Sequence, residues 1–173
     1  MKIYLISMLC LLSLELRAQQ ITVGGVAKIN STRELQPLNS AEMLKKPKGL
    51  LNERDVQYLP KANNLYEKDG VYIGLWQVTD GDARRTLEQV QKELEGIYKL
   101  VNTIAVIGSE IKTYNNIKYF IINEIDKGEY YYRFFSETHN MRSINGFIKY
   151  KKEDKDKAAA ILKDLLNNAK FKN

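Results

Sequence analysis

The sequence predicts an α+β fold in which helices pack on an antiparallel β-sheet. Three patterns carry this prediction: a helix-period stripe between Asp82 and Val101, a period-two run beginning at Thr103 and broken by turn signals, and a second amphipathic helix after Asp154. Helices kept apart from an uninterrupted set of antiparallel strands define the α+β class, because each apolar face needs one partner layer.

The chain opens with MKIYLISMLCLLSLELRAQQ. Lys2 supplies a positive start, and Ile3 to Leu14 is apolar apart from Ser7, Cys10 and Ser13. A bilayer-spanning helix needs about 20 apolar residues, so this run is too short to span. It has the length of a secretory signal, with cleavage expected after Ala18, the small residue such cutting requires. A lipoprotein reading through Cys10 is disfavoured, because bulky Leu9 precedes the cysteine where a small residue is needed. Cys10 is the only cysteine. The mature chain therefore has no disulfide, thiol nucleophile or thiolate metal site, which fits a bacterial envelope better than a small disulfide scaffold. The whole chain carries a net charge of +6, and loss of residues 1–18 lowers it by one. Such an excess suits an anionic lipid, a polysaccharide or an acidic protein, and is also ordinary among exported proteins. No later segment approaches membrane length.

Residues 19–64 read as an irregular leader. This stretch holds Gly24-Gly25 and all three prolines, Pro37, Pro47 and Pro60, with a short helix expected near Ser40–Lys46. Leu50, Leu51, Val56, Tyr58 and Leu59 are expected to dock on the domain that follows. Residues 65–173 form that single domain. Val71 to Val78 is apolar on both faces, as an internal strand should be. Asp80-Gly81-Asp82 ends it, and Asp82 is the expected cap of the next helix. Ala83, Leu87, Val90, Leu94, Ile97 and Val101 make that helix's buried stripe. It spans fewer than three heptads, too few for a sustained coiled coil. From Thr103 the period becomes two, with turns at Asn115-Asn116, at Asp126-Lys127-Gly128 and near Thr138–Arg142. Asp154 or Asp156 starts the last helix, with Ala158, Ile161, Leu162, Leu165 and Ala169 inward.

Within the meander, GEYYYRFFSETHN places five aromatic rings around one arginine. Alternation sends Tyr130, Tyr132 and Phe134 to one face and Tyr131, Arg133 and Phe135 to the other. Phe134 marks the buried face and Arg133 the wetter one. The bulk of the run reads as cross-strand aromatic pairing. Tyr131, Arg133 and Tyr150 remain as the candidate partner-binding surface, with hydroxyls and a guanidinium suited to an anionic or protein partner.

Catalytic chemistry finds little support. His139 is the only histidine and lies in a turn with Ser136, Ser143 and Glu137 nearby, without a strained elbow or an oxyanion hole. One histidine cannot build a zinc site. Glu110, Glu124, Asp126 and Glu129 are interleaved with Lys112, Lys118 and Lys127, the pattern of ion pairs and not of a carboxylate dyad facing a cleft. KEDKDK is too rich in lysine for a calcium loop, and no phosphate-cradling glycine loop is present. NGFIKY lacks the leading basic-Gly pair of an RNA-recognition strand, so no nucleic-acid partner is expected. Catalytic, cofactor-binding and metal residues are thus expected to be absent, and no cofactor is assigned.

The element order, with GSEIKTYNNIKYFIINE, EYYYRFFSETHN, RSINGFIKYKK and the closing LLNNAKFK, resembles the Mog1/PsbP/DcrB-like family of small α/β/α sandwiches over Val71 to Lys172. That resemblance implies a protein-binding or assembly factor, often exported in bacteria, without shared functional residues to transfer. The expectation is an exported, non-catalytic accessory or adaptor protein whose partner is another envelope or secreted protein. An immunity or inhibitor protein acting on a periplasmic toxin or enzyme is a close variant. A small-ligand carrier with an aromatic pocket is the alternative of a different class.

Overall fold

The computed structural model describes residues 19–38, 64–79 and 84–172. Residues 1–18, the Ser40–Lys46 helix, the docking residues Leu50 to Leu59 and the Asp82 cap lie outside them. In chain order the described residues form β1 (Gln19–Val23), β2 (Ala27–Ser31), β3 (Gln36–Pro37), β4 (Asn64–Lys68), β5 (Val71–Thr79), α1 (Leu87–Leu100), β6 (Ile104–Tyr114), β7 (Ile117–Asp126), β8 (Glu129–Ser136), β9 (Arg142–Tyr150), α2 (Lys155–Asn167) and β10 (Ala169–Phe171). A single 3-10 turn, Lys152–Asp154, leads into α2.

Seven strands make one antiparallel sheet in the order β3-β4-β5-β9-β8-β7-β6, and β1-β2-β10 make a second, smaller one. The meander β6 to β9 is built on turns that its sequence dictates. Asn115 and Asn116, and likewise Lys127 and Gly128, all have positive φ. Two left-handed residues in a two-residue loop give the mirror-image turn whose twist matches the flanking strands. Asp69-Gly70 does the same between β4 and β5.

Ile73 and Leu75 of β5, Ile121 of β7, Phe134 of β8 and Ile148 and Tyr150 of β9 line one face of the large sheet. Ala158, Ile161, Leu162, Leu165 and Leu166 of α2 join them, as do Ile21, Val23 and Ile29 of the small sheet. Asp164 of α2 fastens the two layers, accepting hydrogen bonds from Ser31 Oγ at 2.9 Å and Thr32 N at 3.2 Å. On the opposite face, Leu87 and Tyr98 of α1 cover Phe120 and Ile122, with Phe135 packed alongside. Beside them Leu65, Trp76, Tyr131 and Phe147 form a third cluster.

Two glycines let aromatic rings lie flat against the central strands. A Cβ on Gly74 would stand 2.4 Å from the Phe147 ring, and one on Gly146 would stand 2.3 Å from Phe134 Cζ and 2.7 Å from the Gly74 carbonyl oxygen. Filling a missing side chain's space with a neighbour's ring restores the packing that glycine forfeits in a strand.

Four differences from the sequence reading have physical causes. Gln19–Val23 and Ala27–Ser31 are paired strands and not irregular leader, because Ile21, Val23, Ala27 and Ile29 alternate around Gly24-Gly25 and bury their inward members. Helix α1 begins after Thr86, whose hydroxyl accepts from Gln89 N while Gln89 Oε1 accepts from Thr86 N, a reciprocal cap. Ile97 is exposed and Tyr98 is buried in its place. At about 100° per residue, Leu87, Leu94 and Tyr98 stay within roughly 40° of one line, whereas Ile97 falls about 80° to its side. Ala169 is buried in β10 and not in the last helix, where Leu166 takes the inward position.

Candidate functional site

The three residues expected to form a binding surface are placed elsewhere. Tyr131 is 0% exposed, Arg133 2% and Tyr150 2%. They also fall on opposite faces, because Tyr150 is paired with Tyr130 and shares its face, while Tyr131 points the other way with Arg133. The expectation of an exposed surface is therefore corrected, and the reason is charge pairing. Arg133 Nε donates to Glu124 Oε1 at 2.6 Å, and both side chains are buried. The guanidinium carbon lies 4.8 Å from the Tyr131 ring centroid, and Lys149 Nζ lies 5.7 Å from the same ring. Arginine tolerates burial when its fork meets a carboxylate and its flat face meets an aromatic ring. Such a pair fixes side-chain position more than it adds stability.

On the other face, Tyr150 OH donates to Asn123 Oδ1 at 2.7 Å and its ring stacks on Tyr132 at 5.1 Å between centroids. Burial, followed by the neighbouring Tyr132, pushes the Tyr150 hydroxyl well above the ordinary tyrosine value, and burial does the same to Tyr119. Neither phenol is poised to act as an acid or base near neutrality.

The other sequence candidates are engaged one by one. His139 stacks on Phe171 at 5.1 Å. Ser136 Oγ donates to the Glu137 carbonyl and accepts from Ile144 N. Asp126 accepts from Thr103 Oγ1, Glu129 stands 3.7 Å from Lys149 Nζ, and Glu110 stands 3.9 Å from Lys112 Nζ. Among the described residues no group of three acids, histidines or cysteines is placed to hold a metal, and no helix is long and apolar enough to cross a membrane.

Large aliphatic side chains are exposed near the far edge of the large sheet. Leu100, 84% exposed, and Ile97 stand on the outer side of α1, and Val106 and Ile107 are exposed at the start of β6. An open groove of about 350 Å³ runs between the two elements, lined by Glu95, Tyr98, Lys99, Ile104, Val106 and Ser109. Of the four exposed aliphatics only Val106 lines this groove. Glu95, Tyr98 and Lys99 present the helix side that faces β6, whereas at about 100° per residue Ile97 and Leu100 fall together on the side turned away from it. Sequence reasoning missed the exposed pair Ile97 and Leu100 because it assigned Ile97 to the core. The usable signal was Leu100, an apolar residue that the helical period already placed outside. A second open groove of about 400 Å³, with Arg85, Glu88, Lys118 and Glu137 on its walls, lies at the start of α1. Its mixed charges favour no single ligand class.

No protein-family model matches the chain, and no curated protein matches it in sequence. The solution structure of cyanobacterial PsbP (CyanoP) from Synechocystis sp. PCC 6803 is similar to it, with a TM-score of 0.54, over 89% of this chain and 92% of that one, at 10% sequence identity. The fold is PsbP-like. The likeness extends over most of the chain and agrees with the α/β/α resemblance read from element order. At 10% identity, backbone architecture is shared while the side chains that would recognise a partner are this chain's own.

Proposed function

We propose that this chain is an exported, non-catalytic accessory protein of the bacterial envelope that acts by binding another protein. The observation that carries this reading is the exposure of Ile97 and Leu100, two large aliphatic side chains three residues apart on one side of α1. Fully burying such a side chain is worth roughly 1.5–3 kcal/mol, so a partner covering them would recover most of that at Leu100, 84% exposed, and about half of it at half-exposed Ile97. The apolar run Ile3–Leu14 and Ala18 support export. Close packing of the meander's rings supports a binding protein over a ligand carrier. Tyr119 meets Phe134 edge-on at 6.5 Å, Phe120 stacks on Phe135 at 5.9 Å, and Tyr132 stacks on Tyr150.

The test is a comparison of two tagged proteins in the native host, the unaltered chain and Leu100→Glu, isolated from envelope extracts after mild cross-linking. The expected result is a recovered chain beginning at Gln19 and one near-stoichiometric protein captured by the unaltered chain but not by Leu100→Glu. Recovery from the cytosol still beginning at Met1 would overturn export. A captured set identical for both proteins would overturn the exposed Ile97 and Leu100 pair as the contact surface.

A further inference from the structure

We propose that β6 is a self-association edge, on which two copies of this chain pair antiparallel, Gly108–Tyr114 against Gly108–Tyr114, about a two-fold axis at Ile111. Among the described residues strand β6 ends the order of the large sheet, with β7 on one side only, and every residue from Ala105 to Thr113 is exposed. An exposed edge of eleven residues is about twice the ordinary strand length and presents a full row of backbone donors and acceptors to another strand.

The register follows from three features. A bulge between Val106 and Gly108 interrupts the pairing with β7. Bulges bend a strand and end regular pairing, so the regular part of β6 is Gly108–Tyr114, whose midpoint is Ile111. Opposed residues in an antiparallel pair point to the same face, so the axis must fall on a residue that meets its own copy. With the axis at Ile111, Glu110 lies opposite Lys112 of the second copy and Lys112 opposite its Glu110. Ser109 then faces Thr113, and Gly108 faces the ring of Tyr114, the arrangement that restores packing over a strand glycine.

Neighbouring registers fail on charge. Moving the axis to Glu110 sets carboxylate against carboxylate, and moving it to Lys112 sets ammonium against ammonium. Glu110 and Lys112 share a face, stand 3.9 Å apart within one strand and are both more than half exposed, so each can turn to the other copy without losing a buried contact. A single charge on an edge strand keeps other strands away. Opposite charges two residues apart, centred on the symmetry axis, favour this one pairing. Ile111, exposed on the α1 side, meets its copy at the axis.

This interface uses residues 108–114 of β6 and does not depend on Ile97 and Leu100 of α1. The experiment uses the full chain carrying Cys10→Ser, so that any thiol is an introduced one, with sedimentation velocity over a concentration series. A reversible dimer is expected. Glu110→Lys and Lys112→Glu, made singly, each set two like-charge pairs across the axis and are expected to weaken the dimer roughly ten-fold or more. The double substitution Glu110→Lys with Lys112→Glu restores opposite signs and is expected to restore the dimer. Under oxidation Ile111→Cys is expected to cross-link to itself, whereas Ser109→Cys cross-links only when mixed with Thr113→Cys. A chain that stays monomeric at its highest soluble concentration overturns the proposal. So does a dimer indifferent to the single reversals, or a double reversal that stays monomeric while circular dichroism shows it folded. Loss of the partner with Leu100→Glu leaves every one of these readouts in place, so the two ideas fail separately.

Discussion

Gly146→Ala is expected to be among the most damaging single-methyl additions in the sheet. The new Cβ would meet Phe134 Cζ at 2.3 Å and Gly74 O at 2.7 Å, where comfortable contact begins near 3.5 Å. Relief requires a displacement of about 1 Å from the ring and nearly as much from a backbone carbonyl. Neither can move cheaply. Phe134 is buried and held edge-on by Tyr119, and the Gly74 carbonyl belongs to β5, which is paired with both β4 and β9. Overpacking a close-packed core costs about 1–3 kcal/mol, and backbone involvement puts this case at the upper end. At about 2–4 °C per kcal/mol for a domain of this size, the melting temperature should fall by about 6–12 °C. Gly96→Ala is the matched control, since a Cβ there meets nothing within 4 Å. Replacing an exposed mid-helix glycine is worth about 0.5–1 kcal/mol, so this variant should melt about 1–4 °C higher. The assay is calorimetry on both variants and on Gly146→Ala combined with Phe134→Leu, which relieves the ring clash and should recover part of the loss. If Gly146→Ala melts within a degree or two of the unaltered chain, the close approach of β5, β9 and the Phe134 ring is wrong.

Two further outcomes follow from the same structure. Thr86→Ala removes the oxygen that accepts from Gln89 N, and chemical denaturation should show a loss of about 1 kcal/mol; an unchanged midpoint would mean that α1 is capped otherwise. Tyr119 and Tyr150 hold their protons more tightly when folded than the ordinary value of 10.0, so the folded state is at full advantage below that pH and loses it as pH rises and the unfolded chain ionises first. Urea midpoints should therefore be flat below about pH 9 and fall beyond about pH 10, less steeply in Tyr150→Phe, and a flat profile into that range would refute the burial argument.

The sequence made the architecture legible where periodicity and turn chemistry agreed. Asn115-Asn116 and Lys127-Gly128 fixed the hairpins, Val71–Val78 read as an internal strand, and Ala158, Ile161, Leu162 and Leu165 named the buried side of α2. Alternation also assigned Tyr131 and Tyr130 to their correct faces. It could not say how deep a face lies, because depth depends on what is laid over it. Arg133 looked like a marker of water, yet its carboxylate partner Glu124 sits nine residues away on the neighbouring strand, a relation that appears only once register is known. The α1 stripe failed by one residue for a similar reason. A three-four spacing drifts around a 3.6-residue turn, and Tyr98, not Ile97, met the sheet. The exposed pair Ile97 and Leu100 on α1 was hidden by that single error.

Strand β2 lies between β1 and β10, so residues 27–31 share one small sheet with residues 169–171. During synthesis the early hairpin must wait for almost the whole described chain to leave the ribosome before its second neighbour exists. Until then Ile21, Val23 and Ile29 lack the α2 side chains that enclose them. The order of translation thus keeps the nascent polypeptide incompletely closed until residues 169–171 have emerged.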